Sequence, residues 1–257
     1  MFGFMIEGIP VPQLYLSLPF SVAWTPLAWH ALFTVSVGYF LYRRVMATGS
    51  ARARALLNIA IGLGLGVWNA YLWNVVEDET AGSIAWAWHP VSEFASQFLA
   101  GWVLFIGGHL LLDRFPPPPR PAPREFLTFL ALAMLAWLLG WFLPLFPFSL
   151  ILPFLLVVSL ASLNAGRASP NNSWLARLFS LRIPARHYTT AILLPATAIA
   201  TYATMKALEI EWETNVPVAL ITVPVSTFYW LYAILRANHA GHKTTPGPAP
   251  DLRLDER

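Results

Sequence analysis

The strongest constraint on this chain is a recurrence. Apolar runs of about 18–23 residues return between short polar loops from Phe20 to Ala237. At a rise of about 1.5 Å per residue, such a run crosses the ~30 Å hydrocarbon core of a bilayer as one helix. Inside hydrocarbon, backbone N–H and C=O groups must be satisfied within the protein, so stacked helices are the expected solution. Charge agrees: 11% of the residues are charged, against roughly 25% in soluble domains. The expected fold is an all-α, polytopic membrane helix bundle.

Seven runs can be read: Phe20–Tyr42, Ala55–Val76, Phe94–Leu112, Phe126–Leu143, Phe148–Ala165, His187–Leu208 and Val216–Ala237. Basic residues sort onto alternate connections. Arg43, Arg44, Arg52 and Arg54 follow the first run, and Arg114, Arg120 and Arg124 follow the third. Arg167, Arg177, Arg182 and Arg186 follow the fifth, and Arg236, Lys243, Arg253 and Arg257 lie at the end. Lys206 alone falls on the opposite side. Because Lys and Arg mark the cytoplasmic side, the expected topology has the N-terminus outside and the C-terminus inside a cell (plasma or inner) membrane. Residues 1–238 then form the transmembrane domain, and residues 239–257, polar and Pro-rich, a disordered cytoplasmic tail. Residues 1–18 carry Glu7 and lack a basic leader, and Pro10, Pro12 and Pro19 punctuate the stretch. They read as an irregular or interfacial lead-in, not a signal peptide. Pro116–Pro123 reads as a stiff polyproline spacer.

Composition excludes several functions. The chain has no Cys, so thiolate nucleophiles and Cys-ligated metals are ruled out. The net charge is +3, and its basic residues are spread over short loops as topology requires, so no nucleic-acid partner is expected. The last run contains no Lys for a retinal Schiff base. Expected partners are the lipid bilayer, a lipophilic small molecule and, for an accessory role, another protein.

Chemistry concentrates between Asn69 and Glu93. Four of the 13 acidic residues fall there: Glu77, Asp78, Glu79 and Glu93. By helical spacing Asn69, Trp73, Val76 and Glu77 share a face, which suggests a polar pocket floored by Asn69 and gated by Glu77. An interfacial helix end with solvated acids would look the same. Trp86 and Trp88, two apart, point the same way if extended. They suit either the wall of a lipophilic site, where they also stabilise a cation, or a membrane aromatic belt. Pro90 suits a first helical turn, so His89 precedes the third run, and Glu93 stands four residues on. His89, Glu93 and the acids across the loop form a conceivable hard-cation site, but no bound metal or other cofactor is expected. His109 belongs near the cytoplasmic end as a packing residue, and His30, deeper, as a hydrogen-bonded bundle residue. Glu209, Glu211 and Glu213, with Trp212, read as a solvated loop able to close over the acids.

The pattern Trp73-x3-Glu77-x4-Gly82-x3-Trp86-x-Trp88, followed by an apolar run with Phe98 and Gly101-Trp102, resembles the carotenoid-biosynthesis hydratases of bacterial and archaeal membranes. The resemblance covers about forty residues, with Trp where that family has Tyr in its aromatic pair. It implies acid-catalysed addition of water to an isoprenoid double bond; polytopic terpene cyclases, which also protonate an alkene, are the neighbouring possibility. The residues suit such chemistry independently. Protonating an unactivated alkene takes a carboxylic acid kept neutral by apolar surroundings and neighbouring carboxylates. The expected roles are Glu77 as acid, with Asp78 or Glu79 as its partner. Asn69, Trp73, Trp86, Trp88, His89 and Glu93 would surround the substrate. The competing expectation is a non-catalytic accessory or assembly subunit, for which the same region would be a filled bundle.

Overall fold

The computed structural model describes residues 2–78, 83–115, 123–165 and 181–242. These are mostly helical, with one short hairpin and short connections, and four helices are long and apolar enough to cross a membrane: Phe20–Thr48, Ala51–Asn74, Val91–Arg114 and Asn215–Arg236. We number the elements α1 (Phe2–Gly8), α2 (Phe20–Thr48), α3 (Ala51–Asn74), β1 (Val75–Asp78), β2 (Ser83–Trp86), α4 (Val91–Arg114), α5 (Pro123–Trp137), α6 (Ile151–Ala165), α7 (Leu193–Ala207) and α8 (Asn215–His242). Two shorter apolar helical stretches, Leu127–Phe142 and Phe148–Ser162, stand where the fourth and fifth runs were read. The sixth run begins as a 3₁₀ segment, Ala185–Ile192, and continues into α7. Helix α8 runs on to His242; of the segment read as a tail, residues 243–257 lie outside the described residues, as do 116–122 of the proline spacer.

The helix ends follow local chemistry. Ser50 caps α3 by accepting a hydrogen bond from the Ala53 N–H at 3.1 Å, which meets one of the orphan donors of a first turn. Pro90 stands immediately before α4, with Glu93 in its first turn, where a carboxylate favours the positive end of the helix dipole. Within α2, residues Ala23–Leu41 are wound as a π-helix. Thr34 and Ser36 donate to the carbonyls of Trp29 and Ala31, five residues back. The wider winding aligns Phe20, Trp24, Trp29 and Phe33 in one aromatic ladder, with centroids 5.0–5.9 Å apart.

Helix α3 lies close along α7 because of two glycines. A Cβ on Gly62 would run into Thr197 Oγ1 and the Leu194 carbonyl, and one on Gly66 would lie 2.6 Å from the Ala198 carbonyl oxygen. Gly62 and Gly66 are one turn apart, the small-x3-small spacing that lets helix backbones approach in membranes. Gly64, on the other face, would meet nothing within 4 Å.

The lead-in is folded, contrary to the sequence reading. Helix α1 packs into the bundle against α2 and α6. Phe4, Leu14 and Tyr15 share a core cluster with Leu27, Trp137, Leu152, Leu155 and Leu156. Trp141 donates its indole N–H to the Ile9 carbonyl at 2.6 Å, Tyr15 its hydroxyl to Gly8 at 2.7 Å, and Ser21 its hydroxyl to Leu14 at 2.7 Å. Burial pushes the Tyr15 phenol up to about 12, so it remains a donor.

Candidate functional site

The helical face expected from Asn69 to Glu77 does not form as one surface. Helix α3 stops at Asn74, and Val75–Asp78 turn into β1, paired antiparallel with β2. The cause is Asn74 itself. Its side-chain oxygen accepts from the His89 N–H at 2.8 Å and from the Tyr202 hydroxyl at 2.9 Å, and its main-chain carbonyl accepts from the Ala87 N–H at 2.8 Å. The chain leaving α3 is thereby tied to the chain entering α4. Register sets Val75 against Trp86, Glu77 against Ile84 and Asp78 against Ser83. By the two-residue period of a strand, positions 75, 77, 84 and 86 share one face of the ribbon. Glu79 lies outside the described residues.

An aromatic cluster starts at Trp86, the last residue of β2. Trp86 meets Tyr71 at 5.8 Å and Trp88 at 5.8 Å, and Trp88 meets Tyr202 edge-on at 5.8 Å. Trp73 lies edge-on to both His89 and Phe94. At the centre Phe94 and Tyr202 stack, 4.1 Å apart, both buried. Such offset and edge-on pairs each add about 0.5–1.5 kcal/mol beyond burial. Trp73, Trp86, Trp88, His89 and Glu93 are thus brought to one end of the bundle. Asn69 is not drawn in by its amide N–H, which donates to the Leu65 carbonyl on its own helix at 2.7 Å.

His89 precedes α4, as the sequence suggested, and its Nδ1 lies 3.5 Å from Glu93 Oε2 with both side chains exposed. Among the described residues no third His, Asp or Glu joins them in a group able to hold a metal. The His89 carbonyl accepts from Lys206 Nζ at 2.8 Å and from the Tyr202 hydroxyl at 3.2 Å. Lys206, the one basic residue out of step with the topology pattern, is therefore used locally to hold this corner. Trp88 Nε1 is buried without a hydrogen-bond partner among the described residues. Glu209, Glu211 and Glu213 are exposed, as a solvated loop should be.

Two polar assemblies escaped the sequence reading. Glu7 Oε1 lies 2.7 Å from His30 Nε2, with Glu7 almost wholly buried. At the other end of the bundle Arg43, counted above as a loop residue, is buried on α2. Its Nη2 donates to Asp113 at 2.7 Å and to the Leu181 carbonyl at 2.6 Å. Asp113 accepts further from the Ile183 N–H at 3.1 Å and the Tyr188 hydroxyl at 2.5 Å. His109 stacks among Tyr39, Tyr42 and Phe105 next to Arg43, so it is a packing residue. The available signal for Glu7 and Asp113 was a carboxylate bordering or inside an apolar run, which usually marks a buried partner.

Compared with known protein families, curated proteins and solved structures, the chain matches none.

Proposed function

We propose that this is a seven-pass protein of the cell membrane, N-terminus outside, acting at its outer end on a lipophilic isoprenoid by acid-catalysed protonation of an alkene. The membrane reading rests on the four long apolar helices. Length supports a further pass through the 3₁₀ segment and α7. Eight residues at about 2.0 Å and fifteen at about 1.5 Å give about 38 Å, more than a hydrocarbon core. The Arg and Lys alternation supports the orientation.

The observation that carries the catalytic reading is the hairpin. By strand register, position 77 shares a ribbon face with position 86, and the Trp86 ring meets Trp88, which in turn meets Tyr202. A carboxylic acid beside aromatic faces is what alkene protonation needs: a proton donor, then π faces to steady the tertiary cation. Asp78 or Glu79 would orient water as a general base. Replacing Glu77 with Gln keeps size and polarity but removes the proton. We expect E77Q to fold normally and lose turnover of an isoprenoid polyene; full activity would overturn this role.

One observation favours the second reading, a non-catalytic accessory subunit. The centre of the aromatic cluster is filled by the Phe94–Tyr202 stack. A protein partner co-purifying in stoichiometric amount, with no isoprenoid turnover by the wild type, would establish it.

A further inference from the structure

The ion pair of Arg43 and Asp113 is also a knot of three chain segments. Arg43 lies near the end of α2 and Asp113 next to the end of α4. Between them they hold the Leu181 carbonyl and the Ile183 N–H of the connection that leads into the 3₁₀ segment. One residue from each of these anchor points stands a further arginine: Arg44, Arg114 and Arg182, all exposed. None of the three forms an ion pair among the described residues. Asp113 does not neutralise them, because its Oδ1 accepts from Arg43 and the Ile183 N–H, and its Oδ2 from the Tyr188 hydroxyl. Apolar surface continues along the same two helices: Leu41 on α2, Leu110 and Leu111 on α4 and Phe115 just past its end are exposed. Three guanidinium groups are thus tethered around one fixed point, beside surface suited to hydrocarbon.

We propose that anionic phospholipid binds around this knot, its phosphodiester held by Arg44, Arg114 and Arg182 and its acyl chains lying along Leu41, Leu110 and Leu111. The inference is independent of the hairpin and of the isoprenoid reading. A guanidinium offers two parallel N–H donors that match phosphate oxygens. Each arginine at a membrane surface strengthens attraction to anionic lipid roughly fivefold. The adjoining apolar surface selects a lipid over a free phosphate ion, because only a lipid fills both parts of the site. Arginines that did no more than set topology would favour anionic lipid through total charge alone. The knot makes position matter: it holds the backbone on which these three side chains stand, and arginines elsewhere at this end have no such anchor.

The test is native mass spectrometry of the full chain in detergent, titrated with equimolar dioleoylphosphatidylglycerol and dioleoylphosphatidylcholine, which differ only in the headgroup. The wild type should retain the anionic lipid over the zwitterionic one by roughly tenfold or more. R44Q/R114Q/R182Q should bring the two lipids close to parity, and R44K/R114K/R182K should keep part of the preference. R52Q/R124Q/R236Q removes the same charge from exposed arginines away from the knot and should leave the preference unchanged. Parity in the wild type would overturn the proposal. Equal loss in the two glutamine triples would overturn it too, by showing that total charge decides. Glycerol phosphate, the headgroup without its chains, should not strip the adducts at equal concentration; if it does, the site takes a free phosphate and not a lipid.

Discussion

Glu7 and His30, 23 residues apart, meet through a 2.7 Å contact between Oε1 and Nε2 inside the helix bundle. That contact turns the opening segment from a lead-in into part of the core. Glu7 Oε2 is buried without a hydrogen-bond partner among the described residues, so the pairing through Oε1 is what holds this carboxyl. Replacing His30 with Ala leaves the carboxyl without that contact and should cost about 1–3 kcal/mol. Thermal unfolding of H30A, E7Q and the double variant in detergent would read this as a coupling energy. Strict additivity would show that the pair contributes nothing.

Arg43 and Asp113 make the opposite end rigid. Arg43 is 1% exposed and holds α2, α4 and the chain at Leu181 together. Removing one partner of a buried ion pair strands the other charge and typically costs about 3–5 kcal/mol, whereas replacing both by apolar residues costs much less. D113A is therefore expected to be poorly folded, and R43M/D113L to recover most of the loss. Equal instability of the single and double variants would show that packing, not the stranded charge, dominates.

The three glycines of α3 should separate cleanly. Gly62→Ala and Gly66→Ala force their Cβ atoms into α7 and should lower the melting temperature. Gly64→Ala meets open space and should stabilise the helix by about 0.5–1 kcal/mol, the usual gain over Gly in a helix interior. A melting curve for each variant decides it.

Because the chain contains no Cys, any single introduced thiol is the sole labelling site, which makes topology directly measurable. Glu211 and Arg52 are both exposed and, with the N-terminus outside, fall on opposite faces. A membrane-impermeant maleimide should label E211C in intact cells and R52C only after permeabilisation. Labelling of both from outside would overturn the orientation.

Much of the architecture was legible in the chain because crossing a membrane is a property of consecutive residues. Run length and mean apolarity depend on no distant partner, so Phe20–Thr48, Ala51–Asn74, Val91–Arg114 and Asn215–Arg236 appear as helices close to where the runs were read. Pro90 announced the start of α4 in the same local way. The end of α3 was not legible. The Asn69–Glu77 periodicity continues unbroken in sequence, yet Asn74 is taken up by His89 and Tyr202, and the chain turns into a hairpin. The same holds for every polar pairing that matters here: Arg43 with Asp113 across 70 residues, Trp68 with Asn215 across 147. Which side chains meet depends on how each helix is rotated and how closely it approaches its neighbours. Those choices are made by contacts such as Gly62 against Leu194, which join segments that no local pattern relates. The sequence alone determined helices long and apolar enough to cross a membrane; only the tertiary structure decided which faces of those helices enclose polar pairs, because that depends on contacts between segments far apart in the chain.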